Sequence, residues 1–175
     1  KIKLTEAGEI RDIIFDFINI EEQNKMVKSK ITKINSDIKE LKIGEAEESL
    51  NELGKMKSLK SYEKDYLEIK GKLKSAKLRL FDIDRSIKFE IEKVKENIKK
   101  SEASKVGYVE KNKNLTKLYK ESVDYLEKII LSHPYTTYRY DVNILQSDIY
   151  AKLGMPNSAK NAMEEAKKYE GRRKE

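Results

Sequence analysis

The stretch "IRDIIFDFINIEEQNKMVKSKITKINSDIKEL", residues 10–41, places apolar side chains at Ile10, Ile13, Phe17 and Ile20. It passes one polar position at Asn24 and resumes at Val27, Ile31, Ile34, Ile38 and Leu41. The steps alternate three and four without a break, which is the pattern of a helix carrying a heptad seam. At 1.5 Å per residue such a seam runs about 48 Å, and a single polar layer such as Asn24 fixes register in it. A second seam follows at Tyr62, Tyr66, Ile69, Leu73, Ala76, Leu80, Ile83 and Ile87, then shifts phase through Ile91 before Val94 and Ile98. That shift reads as a stutter. Between the seams, "GEAEESLNELG" (44–54) reads as a short connecting helix or a capped turn.

Two long seamed helices with a brief connection are expected to fold back on each other as an antiparallel coiled-coil hairpin over residues 1–106. Residues 42–62 then form its tip and project into solvent. The apolar stripe widens at Ile14, Phe15 and Ile18 and again at Leu78, Phe81 and Phe89. A stripe that wide calls for a second covering surface, and residues 107–175 are expected to supply it at the base of the hairpin.

Composition agrees with an all-α chain. Charged residues make up 39% and hydrophobic ones 38%, a surplus of charge that long helices accommodate because each buries only one stripe. Seven glycines and two prolines are too few for the many turns of an all-β fold. The absence of cysteine excludes disulfides, thiolate metal sites and a cysteine nucleophile. No apolar run approaches the ~18 residues of a membrane-spanning helix. The sequence begins at Lys1, which is expected of a processed or trimmed form that has lost any N-terminal signal or lipid anchor. The Lys, Ile and Asn bias is that of an AT-rich bacterial genome, as in spirochaetes.

Helical periodicity fades around "VGYVEKNKN" (106–114), and a domain boundary is expected between residues 106 and 107. Beyond it, "LYKESVDYLEKIILSHP" (118–134) and "NILQSDIYAKLGMPNSAKNAMEEAKKY" (143–169) share a spacing. Ser122, Leu126 and Ile129 are each 37 residues before Ala159, Met163 and Ala166. With Ser147, Tyr150 and Gly154 ahead of Ala159, and Tyr119 and Pro134 flanking the first copy, residues 118–171 resemble the tetratricopeptide repeat, whose small residues let neighbouring helices approach closely. Met163 stands where that family usually has Phe, Gly171 where a proline often ends the repeat, and the helix expected before Leu118 does not fit. The recurrence is three residues longer than the family's period of about 34. The extra length falls in "HPYTTYRYD", which looks like linkers of bacterial envelope repeat proteins, including outer-membrane assembly lipoproteins. The resemblance implies a TPR-like module at 107–175, a protein partner, and a periplasm-facing envelope location, with the cytoplasm left open.

The resemblance assigns partner binding to the inner face of the repeat's first helix, here Asp141, Ile144, Asp148 and Lys152. Tyr138 and Arg139, beside Tyr135 and Tyr140, are residue types common in binding hot spots; packed tyrosines with wet hydroxyls are the competing reading. The only histidine, His133, has no second histidine or cysteine to work with, and the common phosphate, dinucleotide and zinc motifs are missing. A non-enzymatic scaffold with no cofactor or metal is therefore expected. Residues 55–77 carry eight lysines against three acids. Lys57, Lys60, Lys64, Lys70 and Lys74 form the alternative, a patch for nucleic acid or an anionic membrane surface. A third reading is self-association of the long seam into a homo-oligomer.

Overall fold

The computed structural model describes residues 2–104 and 107–172, with side chains from Phe17 onward except at 57–59 and 172. It is helical, and no strand occurs among the described residues. The elements are α1 (Ile2–Lys39), α2 (Ile43–Gly54), a 3-10 segment (Lys57–Tyr62), α3 (Glu63–Glu102), α4 (Tyr108–Ser132), α5 (Arg139–Lys152) and α6 (Pro156–Lys167), then a last 3-10 turn (Glu170–Arg172). The chain divides into two compact units, residues 1–79 and 80–175. The division falls inside α3, whereas the sequence places a boundary at 106/107, in the connection between α3 and α4. The later half of α3 groups with the C-terminal helices because its seam residues share a core with α4 and α5, on which α6 packs.

In the first unit α1 ends abruptly. Leu41 takes φ 60°, and the N–H groups of Lys42 and Leu41 donate to the carbonyls of Asp37 (2.8 Å) and Ile38 (3.2 Å). This is the paired bonding that closes a helix around a left-handed residue. The chain therefore reverses within three residues, and α2 runs straight back along α1. Val27 and Ile34 of α1, Ala46, Leu50 and Leu53 of α2, and Ile69 and Leu73 of α3 form one buried cluster. An ion pair joins Lys30 to Glu52, and another joins Glu47 to Lys77. The first sets α2 antiparallel to α1, and the second, with Tyr66 lying against Gly54, sets α3 antiparallel to α2.

It follows that the start of α3 runs parallel to α1 in an up, down, up arrangement. The expected antiparallel pairing of the two long seams, with residues 42–62 as a projecting tip, is corrected here. The reason is visible in the residues: Ile43, Ala46, Leu50 and Leu53 keep a helical stripe that needs burial, and α2 takes the place beside α1. At Phe17 and Ile20, beyond the reach of α2, the seam is 66% and 56% exposed. Ile10, Ile13, Ile14 and Phe15 lie outside the described side chains.

The second unit has its own core. Ile87, Ile91, Val94 and Ile98 of α3 pack with Tyr119, Val123, Leu126 and Ile129 of α4 and with Val142, Leu145 and Ile149 of α5. The phase shift at Ile91 thus keeps one face buried. The Tyr119 hydroxyl donates to Glu102 (2.7 Å) and the Tyr125 hydroxyl to Glu90 (2.8 Å), so α4 runs antiparallel to α3. Phe81 and Phe89, expected under residues 107–175, are 61% and 68% exposed instead. At 100° per residue they point well away from the seam face, and α4 and α5 cover the seam. Leu78 is exposed as well.

Gly154 ends α5 at φ +71°, with its own N–H bonded to Ala151 (3.0 Å) and that of Met155 to Tyr150 (2.9 Å). Pro156 opens α6 at a position where its missing N–H has no helical partner to lose.

Candidate partner-binding face

Most of the circumference of α5 is consumed by the fold. Val142, Leu145 and Ile149 enter the core, and the buried Ser147 donates its hydroxyl to the carbonyl of Ala159 at 2.8 Å. The small pair Ser147 and Ala159 allows α6 to approach closely, and Ala166 is fully buried. What remains is one arc carrying Asp141, Ile144, Asp148 and Lys152, which spacings of three and four put on a single face. Asp148 is exposed, and Asp141 and Ile144 are half-buried. Asp141 is already engaged within the fold.

Lys152 closes the far end of this arc. Its ammonium lies 2.5 Å from Glu102 Oε1 and 5.7 Å from the centre of the Tyr119 ring. The hydrogen bond from Lys152, helped by the one from Tyr119, holds the Glu102 carboxyl below the usual carboxylate range. Burial, and then the bond to Glu102, push the Tyr119 hydroxyl up to about 12. Lys152 is thus a bracket between α5 and α3, and the face offers Ile144 and Asp148 as its accessible groups.

Tyr138 and Arg139 are built into the unit. Tyr138 packs against the core, and its N–H meets the Thr136 hydroxyl at 3.3 Å. Arg139 donates to the Pro134 carbonyl (2.9 Å), reaches Glu165 (3.6 Å) and stacks over the Tyr169 ring at 4.5 Å. Lys168, hydrogen-bonded to Glu165, keeps that carboxyl below its ordinary range. Tyr135 and Tyr140 are half-buried and likewise engaged. The competing reading of the tyrosine loop, packing, describes these residues.

The residue that organises the loop went unrecognised in the sequence. Asp84 of α3 is buried, yet one oxygen accepts from the Thr136 hydroxyl (2.6 Å) and the Thr137 N–H (3.2 Å), and the other from the Thr137 hydroxyl (2.7 Å). An aspartate one residue after the seam position Ile83 was its only sequence signal.

The lysine stretch is brought together only in part. The side chain of Lys57 lies outside those described. Lys60, Lys64, Lys70 and Lys74 are all exposed. Six residues separate Lys64 from Lys70, which turns them about 120° apart around α3. Lys70, Lys74 and Lys77 instead line a groove of about 370 Å³ between α2 and α3. Lys72 pairs with Glu68 at 2.6 Å.

Among the described residues no group of three or more His, Cys, Asp or Glu converges as metal ligands, and no helix is long and apolar enough to cross a membrane. Comparison of the chain with protein families, with characterised proteins and with solved structures finds no match.

Proposed function

We propose that this chain is a non-enzymatic adaptor that binds another protein through the outward arc of α5 at Ile144 and Asp148. The observation that carries this reading is the division of α5 itself. Three sides are fixed by the core, by α6 and by the Lys152 bracket, leaving an apolar side chain beside a carboxylate on a rigid support. Such a support limits the ordering cost of binding. The later half of α3 with α4, and α5 with α6, make two successive antiparallel pairs, which is the plan of a tetratricopeptide-like module. A bacterial envelope complex is the setting proposed for it, on the sequence resemblance alone.

The test uses the full chain as bait in lysate of its source at physiological salt, beside a variant carrying Ile144→Arg and Asp148→Arg. A protein retained by the parent and lost from the variant, with both equally helical and equally resistant to urea, is the expected result. Identical capture by both, or capture of nothing, overturns the reading.

A second reading is favoured by one observation, the exposure of Phe17 and Ile20 on a seam that is buried further along α1. It is self-association of α1, and sedimentation equilibrium of the full chain beside a Phe17→Glu, Ile20→Glu variant decides it.

A further inference from the structure

The groove between α2 and α3 belongs to neither reading. Its floor is apolar, made by Leu50 from α2 and by Tyr66 and Leu73 from α3. Its α3 rim is cationic. Lys70 and Lys74 stand one turn apart, both exposed, and neither is ion-paired among the described residues. Lys77 closes one end, held there by Glu47. Asn51 is exposed on the opposite rim.

We infer that this groove receives an acidic peptide segment of a protein partner, with an apolar side chain over Leu50, Tyr66 and Leu73 and its carboxylates on Lys70 and Lys74. Three features select that occupant. The volume, about 370 Å³, lies near the lower end of ligand sites, which run from about 300 to 1,000 Å³, and suits one or two side chains. The cationic rim from Lys70 to Lys77 covers only about 10 Å of helix, too short to follow a phosphate backbone, and Lys64 stands off its line. Glu47 on the facing α2 rim opposes a uniformly anionic chain, whereas a peptide places a neutral or basic residue there. Charge supplies orientation, and the apolar floor supplies contact area.

Fluorescence anisotropy of the full chain with a fluorescein-labelled peptide, Asp-Glu-Leu-Glu-Asp-Leu-Phe-Glu-Glu, at about 0.15 M salt tests this. Saturable binding is expected, weakened about tenfold by Lys70→Glu with Lys74→Glu, since two exposed charge contacts are reversed. Asn51→Trp, which fills the groove from its exposed rim, is expected to abolish binding, and Lys60→Glu with Lys64→Glu to leave it unchanged. Should the tryptophan variant lose its helicity, the Lys70 and Lys74 variant decides alone. Absence of saturable binding overturns the inference. So does equal displacement of the probe by oligo-glutamate, by a single-stranded oligonucleotide or by phosphatidylglycerol vesicles, which marks a plain polyanion patch. The Ile144→Arg, Asp148→Arg variant is expected to bind the probe as the parent does, so the fate of this groove is independent of the α5 face.

Discussion

A buried carboxylate is costly unless donors surround it, and Asp84 has three. Asp84→Ala would strand the hydroxyls of Thr136 and Thr137, so a loss of about 2 to 4 kcal/mol is expected, read from urea unfolding. The bracket at Lys152 makes a prediction in pH. Glu102 titrates below its ordinary value of 4.5 in the folded chain, so its stabilisation is present above that value and is lost as pH falls through the depressed one. Lys152→Met is expected to flatten that acid limb. Tyr119 has the opposite sense: its folded value is about 12 against an ordinary 10.0, so its stabilisation is complete below pH 10.0 and is lost as pH rises towards 12. Absorbance titration of the tyrosines should show a late component, shared with Tyr125 and Tyr150, that Tyr119→Phe diminishes.

At the scale of elements, two glycines with empty surroundings should answer the same substitution with opposite signs. Gly71 lies within α3 with nothing near its added Cβ, so Gly71→Ala is expected to stabilise by about 0.5 to 1 kcal/mol. Gly154 is equally uncrowded but sits at φ +71°, and Gly154→Ala is expected to cost about 1 to 2 kcal/mol. Thermal unfolding measures both. The glycine at 154, the helices around it and the two seams were legible because periodicity and turn chemistry are local. The fate of α2 was not. Its stripe of Ile43, Ala46, Leu50 and Leu53 has the same spacing as a seam, but nothing local says whether α2 or the other long helix lies beside α1. Leu41 hid the tight reversal, since a leucine in the left-handed region gives no turn signal. The partner face was legible as a set of positions on one helix, while the occupation of Lys152 and Arg139 by Glu102 and Glu165 depended on distant residues.

At the scale of the molecule, two separate cores predict separable responses. Leu53 and Leu126 are both fully buried, one in each unit, and truncation to Ala should cost about 2 to 5 kcal/mol at either site. Hydrogen exchange is the measurement that separates them. Leu53→Ala is expected to lower amide protection in α1, α2 and the start of α3 while α4 to α6 stay protected, and Leu126→Ala to do the converse. The Asp84 clamp adds a consequence in time. Its partners lie 52 and 53 residues along the chain, whereas helical turns join near neighbours. Contacts that must close so long a loop form late, so loss of Asp84 should accelerate unfolding and leave the refolding rate almost untouched. The aspartate would then act as a latch on the lifetime of the folded unit, with no part in guiding the chain there.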